Sequence, residues 1–82
     1  NKPIYLTLDL DVLDPSAFPG SGTPEAGGVT YRQLLAALLT VCERANIVGL
    51  DMNELSPTYD SSGISTATAC KLVRELLLAI KK

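Results

Sequence analysis

The chain has 82 residues, a net charge of −2, and 46% hydrophobic against 20% charged residues. This length allows one domain at most, and the composition is typical of a globular chain rather than a disordered one. A pI near 4.8 gives no reason to expect nucleic acid or a membrane surface as a partner. Without an apolar run of membrane-spanning length or a signal-peptide pattern, we expect a cytoplasmic protein.

The first predicted element is a strand at residues 4–10, "IYLTLDL", whose apolar run is typical of a buried strand. The next segment, residues 11–28, reads "DVLDPSAFPGSGTPEAGG" and contains three prolines and four glycines. This composition excludes regular structure. Because long loops in small domains are usually functional or disordered, we expect function in this one.

Two helices and a second strand follow. Thr30 is a predicted N-cap for a helix that runs to about Arg44, residues 46–55 form a second buried strand, and residues 56–63 form a loop. The first helix has apolar positions at Tyr31, Leu34, Leu35, Leu38, Leu39 and Cys42. The second has its apolar set at Ala69, Cys70, Val73, Leu76, Leu77 and Ile80. Both cysteines are therefore predicted to be reduced core thiols.

The resulting β-loop-α-β-α order predicts two parallel strands joined by a helical crossover. Two parallel strands do not make a sheet that is stable alone. The chain also opens on "NKP", without an initiator methionine. We therefore expect residues 1–82 to be a single partial domain, the C-terminal segment of a larger α/β enzyme.

Asp9 and Asp11 stand where the first strand is predicted to end, at the edge where α/β proteins bind ligands. Because strand side chains alternate, we expect both carboxylates to point the same way and to converge on a cation. Oxygen ligands favour magnesium, calcium or manganese. From these residues alone, a metal site and an ordinary turn remain equal alternatives for Asp9 and Asp11, and a solvated charge at a strand end is the favoured interpretation of Glu54.

Three other motifs match the sequence incompletely. An EF-hand loop starting at Asp9 lacks the required glycine and glutamate, and "GTPEAGG" lacks the lysine of a P-loop. "LTLDLDV" resembles the first motif of haloacid-dehalogenase-type phosphatases, in which Asp9 would be the nucleophile, although "LDMNE" at the next strand end fits that family poorly. A phosphatase segment therefore stays as an alternative, as does a non-catalytic, self-associating fragment.

The whole stretch "DLDVLDPSAFPGSGTPEAGGVTYR", residues 9–32, closely resembles the ureohydrolase family of arginases and agmatinases. The resemblance continues through "NIVGLDMNELSPTYD" to the final helix, and so covers nearly the entire chain. The family signature runs D-x-D-x-x-D-P, then P-G/A-x-G-T-P, then G-G before a helix. The positions that fit it are Asp9, Asp11, Asp14, Pro15, Pro19, Gly20, Gly22, Thr23, Pro24, Gly27 and Gly28.

The resemblance implies a three-layer α/β/α fold with a mostly parallel sheet, and hydrolysis of a guanidinium compound to urea and an amine by two manganese ions. It assigns Asp9 as the bridging ligand, Asp11 as a ligand of one ion, and Glu54 as the acceptor of the substrate guanidinium. Thr23 would orient Glu54 or the substrate. We expect Asp14, Gly27 and Gly28 to shape the loop.

Within the family, "LSPTYDSSG" is most similar to bacterial agmatinases, which favours agmatine as the substrate and putrescine as the amine; guanidinobutyrate and arginine stay open. The family binds its metals with six ligands, including histidines, and uses a further histidine for proton transfer, whereas this chain has no histidine. We therefore expect the isolated chain to be inactive. Uncovered sheet edges predict self-association or a homo-oligomer.

Overall fold

The computed structural model describes residues 2–80 and shows an α/β arrangement. Strand β1 spans Pro3–Asp9, helix α1 spans Tyr31–Arg44, strand β2 spans Asn46–Asn53 and helix α2 spans Ile64–Ile80. Short 3₁₀ turns at Leu10–Val12 and Pro57–Tyr59 follow the two strands. The β-loop-α-β-α order predicted from the sequence is confirmed.

The two strands pair in parallel, so their carboxyl ends meet at one edge. The register runs from Pro3 opposite Asn46 to Asp9 opposite Asn53, with one irregularity between Ile4 and Tyr5. Residues 2–80 contain this two-stranded sheet alone. The pairing brings the residue after β2, Glu54, to the end of β1.

One face of the sheet packs against the helices and the other is open. Leu8 and Ile47 are buried in a core to which both helices contribute. Tyr5 and Val48 are 61% and 63% exposed. The prediction of two buried strands is therefore wrong for the residues described, because the helices cover one face only.

Helix α1 begins at a complete capping box. The Thr30 hydroxyl accepts the Gln33 N–H, and the Gln33 side chain accepts the Thr30 N–H. Leu34, Leu38 and Cys42 are its buried residues. The cap and the end of this helix agree with the prediction. Neither helix within residues 2–80 is both long and apolar enough to cross a bilayer.

Helix α2 faces the core through a stripe that agrees with the predicted one only in part, since Ala69 and Leu76 are buried as predicted. Its buried residues are Ser65, Ala69, Leu72 and Leu76. Cys70 is exposed, and Leu77 is 56% exposed, so their placement in the core was wrong. The physical reason is that α2 carries two adjacent apolar stripes. Only the stripe containing Leu72 packs against the core.

Candidate active site

Strand β1 ends at Asp9, and the Asp9 carboxylate caps the 3₁₀ turn that follows. Asp9 Oδ1 accepts the backbone N–H of Asp11 at 3.2 Å, which is how an N-cap satisfies the free donors of a helical turn. Asp11 therefore lies in the turn Leu10–Val12. The prediction that both carboxylates project from one extended strand was wrong, because the cap ends the strand between them.

Thr23 connects Asp11 with Glu54. Its hydroxyl lies 2.7 Å from Asp11 Oδ2 and 3.4 Å from Glu54 Oε1. These three residues come from separate segments, namely the 3₁₀ turn after β1, the long loop and the position after β2. The parallel register and the folding of the loop over the strand ends thus bring them into one site.

Glu54 has a left-handed backbone with φ of 74°. It is the only non-glycine residue with positive φ among residues 2–80. A glutamate in this region is uncommon, and such backbones cluster at functional sites. The conformation turns the chain sharply after Asn53 and places the Glu54 carboxylate beside Thr23.

The carboxylates of this site affect one another electrostatically. The Asp11 backbone N–H favours the ionised form of Asp9, but the Asp11 side chain, partial desolvation and the Glu54 charge together raise the pKa of Asp9 above its ordinary value. Like charges that approach each other disfavour ionisation in this way. The site therefore has an excess of negative charge that a bound cation would offset.

Asp9 and Asp11 fit a manganese site by ligand type but do not complete one. Carboxylate oxygens are ligands that hard divalent cations prefer. No three His, Cys, Asp or Glu side chains within residues 2–80 are grouped closely enough to hold a metal ion. An open cavity beside Asp11, lined by Val12 and residues 25–28, leaves its carboxylate accessible. The chain thus offers two ligands, with Glu54 nearby but outside the ligand cluster.

Asp14 accepts hydrogen bonds from residues near both ends of the long loop, residues 11–28. One carboxylate oxygen accepts the hydroxyl and the N–H of Ser16, and the other accepts the N–H of Gly27 at 3.0 Å. These bonds hold the pKa of Asp14 below its ordinary value, those to Ser16 contributing most. Asp14 contacts the loop backbone rather than Asp9, Asp11 or Glu54.

The paired glycines serve two different structural needs. Gly27 has φ of +90°, a conformation that other residues adopt with strain. At Gly28 the limit is space, because a Cβ there would lie 2.5 Å from the Val12 carbonyl oxygen. This close approach accompanies the bridge between Leu13 and Val29. The expected freedom to turn therefore applies to Gly27, whereas Gly28 allows tight packing.

Sequence reasoning missed a second cluster, which comprises Asp60, Ser65 and Gly20. Ser65 is fully buried and its hydroxyl donates to Asp60 Oδ2 at 2.6 Å. The same hydroxyl oxygen accepts the Gly20 N–H at 2.8 Å. An aspartate shortly before an apolar helical run is a recognisable cap signal. The contact with Gly20, 45 residues away, has no local signal.

Sequence comparison relates the chain to one family. A family profile described as "Arginase family" matches residues 1–79. The agmatinase of Bacillus subtilis (strain 168) is 44% identical over 82 residues, which are 99% of this chain and 28% of that protein. The human mitochondrial guanidino acid hydrolase is 44% identical over 81 residues, which are 99% of this chain and 23% of that protein.

Solved structures give the same result. A putative agmatinase from Clostridium difficile is 57% identical with a TM-score of 0.87, covering 96% of this chain and 29% of that one. The proclavaminate amidino hydrolase from Streptomyces clavuligerus is 41% identical with a TM-score of 0.90, covering 98% and 27%. The chain spans about a quarter of the length of these relatives. With an arginase-like α/β fold and a profile match along nearly its whole length, the chain belongs to the arginase family.

Proposed function

We propose that these residues form part of the active site of a ureohydrolase, which hydrolyses a guanidinium compound to urea and an amine. The observation that carries the proposal is the Thr23 hydroxyl placed between Asp11 and Glu54. It unites a candidate metal ligand with a candidate guanidinium acceptor in one site. Membership of the arginase family supplies the reaction class.

Asp9 and Asp11 would hold manganese, since two carboxylates at the carboxyl end of a parallel strand and in the turn after it suit a hard cation. When bound, a pair of such ions lowers the pKa of a water molecule and provides a hydroxide nucleophile near neutral pH. Asp9 and Asp11 would be the metal ligands that this chain contributes. The chain has no histidine, so the remaining ligands and the proton-transfer histidine would come from other parts of the complete enzyme.

Glu54 would bind the substrate guanidinium. A carboxylate accepts two parallel N–H bonds from a planar guanidinium, which fixes the carbon atom in position for attack. Thr23 would restrict the rotation of the Glu54 carboxylate through its hydroxyl. The left-handed backbone at Glu54 would help to aim the side chain toward the strand ends.

Agmatine is the proposed substrate, with putrescine as the second product. Similarity to proteins named agmatinase supports this choice. The human guanidino acid hydrolase, however, is as similar to this chain as the Bacillus subtilis agmatinase is, at 44% identity. Substrates that end in an amine and substrates that end in a carboxylate must therefore be compared directly. The groups that contact those ends would lie mostly outside these 82 residues. We also propose a homo-oligomeric complete enzyme.

The test is a urea assay of the complete protein after manganese loading, with agmatine, guanidinobutyrate and arginine at equal concentrations. We expect urea release from every substrate that is hydrolysed to require manganese. Among the three substrates, we expect agmatine to give the highest kcat/KM. Preference for guanidinobutyrate would change the substrate but keep the reaction class. Release of phosphate from phosphate esters without urea release would instead support the phosphatase alternative.

A further inference from the structure

Gly20 is held from two sides by backbone hydrogen bonds. Its N–H donates to Ser65 Oγ at 2.8 Å, and its carbonyl oxygen accepts the Ser56 N–H at 2.6 Å. A Cβ added to Gly20 would lie 2.7 Å from the Ser65 Cβ. The loop backbone at Gly20 therefore packs directly against the start of α2, and the Ser65 side chain limits how closely Gly20 can approach the helix.

Asp60 orients the Ser65 hydroxyl. Asp60 Oδ2 accepts both the Ser65 hydroxyl at 2.6 Å and the Ser65 backbone N–H at 2.8 Å. A serine hydroxyl has one proton, so donation to Asp60 leaves its lone pairs available to the Gly20 N–H. Because Ser65 is fully buried, water does not easily replace a partner that is removed.

The anchored loop leads directly to the carboxylate site. Ser21, which is 3% exposed, accepts the Thr23 N–H on its Oγ at 3.2 Å. Thr23 then contacts Asp11 and Glu54 through its own hydroxyl. Two hydrogen bonds and the peptide bond between Gly20 and Ser21 thus connect the start of α2 with Thr23.

The Ser56 bond gives the anchor a second effect. Ser56 lies two residues after Glu54, and its N–H donates to the carbonyl oxygen of Gly20, the same residue whose N–H is bound by the Ser65 hydroxyl. Movement of Gly20 away from α2 would therefore displace Thr23 on one side and the chain that follows Glu54 on the other. Thr23 and Glu54 contact each other, and the positions of both therefore depend on Gly20.

We propose that Ser65, oriented by Asp60, is a positioning residue that fixes Gly20 and thereby sets Thr23 and Glu54 in the geometry that binds the guanidinium. This inference rests on the proposed ureohydrolase function. Ser65 does not touch the substrate or the metal ions in this scheme. It acts through its hydrogen bond to Gly20.

The test uses the complete manganese-loaded protein and a double-mutant cycle. Ser65→Ala removes the anchor, Thr23→Val removes the hydroxyl at the site, and the third variant combines them. Each single variant is expected to lower kcat/KM for agmatine by about ten- to a hundredfold. The double variant is expected to lose little more than Thr23→Val, because Ser65 acts on the contact between Thr23 and Glu54, which Thr23→Val already removes. Ser61→Ala, an exposed serine in the preceding loop, is the matched control and should have no effect.

Two further measurements separate positioning from general stability. Manganese content should stay the same in all variants, and hydrogen exchange at the Gly20 amide should become at least about tenfold faster in Ser65→Ala, since its acceptor is lost. Should Ser65→Ala fail to fold, Asp60→Asn replaces it in the cycle. That variant keeps the Ser65 hydroxyl but weakens its orientation, and should show the same non-additivity with Thr23→Val.

Independent, additive effects of the two substitutions, or unchanged Gly20 exchange, would overturn the positioning role while leaving the ureohydrolase assignment intact. Absence of urea release by the unsubstituted protein from agmatine, guanidinobutyrate and arginine would overturn the proposed function itself, and the inference with it. Failure of the positioning role is therefore seen in the variants, whereas failure of the proposed function is seen in the unsubstituted protein.

Discussion

Asp9 and Asn53 pair as the last residues of the two parallel strands, which places Glu54 at the edge where Asp9 caps its turn. This pairing explains why carboxylates distant in the sequence influence the same site. A shift of one residue in the register would move Glu54 along the strand edge and turn neighbouring side chains to the opposite face. The site therefore depends on the strand register as well as on residue identity.

The first prediction concerns Asp9 in the complete enzyme. Asp9→Asn should weaken manganese binding by at least about 100-fold, because a neutral amide is a poorer ligand than a carboxylate and cannot bridge two cations. Metal analysis after dialysis, together with a manganese titration, measures this effect. Full metal content with normal urea release would remove Asp9 from the metal site.

The second prediction separates substrate binding from metal binding. Glu54→Gln should leave manganese bound but lower kcat/KM for agmatine by about 10- to 100-fold, the loss expected for one charge-assisted interaction. Glu43→Gln is the matched control, because Glu43 is exposed on α1. Steady-state kinetics and metal analysis of both variants check it. Equal behaviour of the two variants would exclude the proposed role of Glu54.

The third prediction compares two glycines of the long loop. Gly28→Ala should lower the free energy of unfolding by about 1–3 kcal/mol, because the new methyl would overlap the backbone of Val12 and Asp14. At Gly22 the nearest atom to an added Cβ is 3.8 Å away, on Tyr59, so Gly22→Ala should be tolerated. Denaturant unfolding of both variants measures the difference. Similar losses would show that close packing at Gly28 is unimportant.

The fourth prediction follows from the charge at Asp60. Hydrogen bonds from Ser62 and Ser65 lower the pKa of Asp60 from 3.8 to about 2. Since the unfolded chain binds the proton more readily, this contribution to stability is complete above about pH 4 and is lost as the pH falls through about 2. Carbon-13 chemical shifts of the Asp60 carboxyl group report its titration. A midpoint at or above pH 4 would contradict the bonding described.

The fifth prediction concerns the 82 residues alone. They should release no urea from agmatine and bind manganese weakly, since two carboxylates leave most coordination positions to water. The open sheet face and the exposed side chains of Val73, Leu77 and Leu78 should cause self-association. Sedimentation, manganese titration and a urea assay check these expectations. A monomer that binds two manganese ions tightly and hydrolyses agmatine would contradict them.

The sequence predicted those features that depend on local chemistry. The capping residue Thr30 and the 3.6-residue spacing of Leu34, Leu38 and Cys42 located α1. The apolar runs located both strands, and their order predicted parallel pairing. These signals are contained in short windows, so a single sequence is enough to read them.

Features that depend on tertiary contacts could not be predicted in the same way. The D-x-D spacing suits an extended strand, yet the Asp9 carboxylate caps a turn that moves Asp11 out of the strand. Helix α2 has two apolar stripes, and only packing determines that Leu72 rather than Cys70 is buried. The Gly20 to Ser65 bond joins residues 45 positions apart, which periodicity cannot detect.

The left-handed backbone of Glu54 has a consequence for protein engineering. Holding a glutamate at φ of 74° costs on the order of 1–3 kcal/mol, whereas glycine would adopt the same conformation without that strain. A design procedure that optimises stability alone would therefore replace Glu54 first and discard the carboxylate that the proposed reaction needs. Stabilised variants of this protein should keep that glutamate fixed and gain their rigidity elsewhere in the fold.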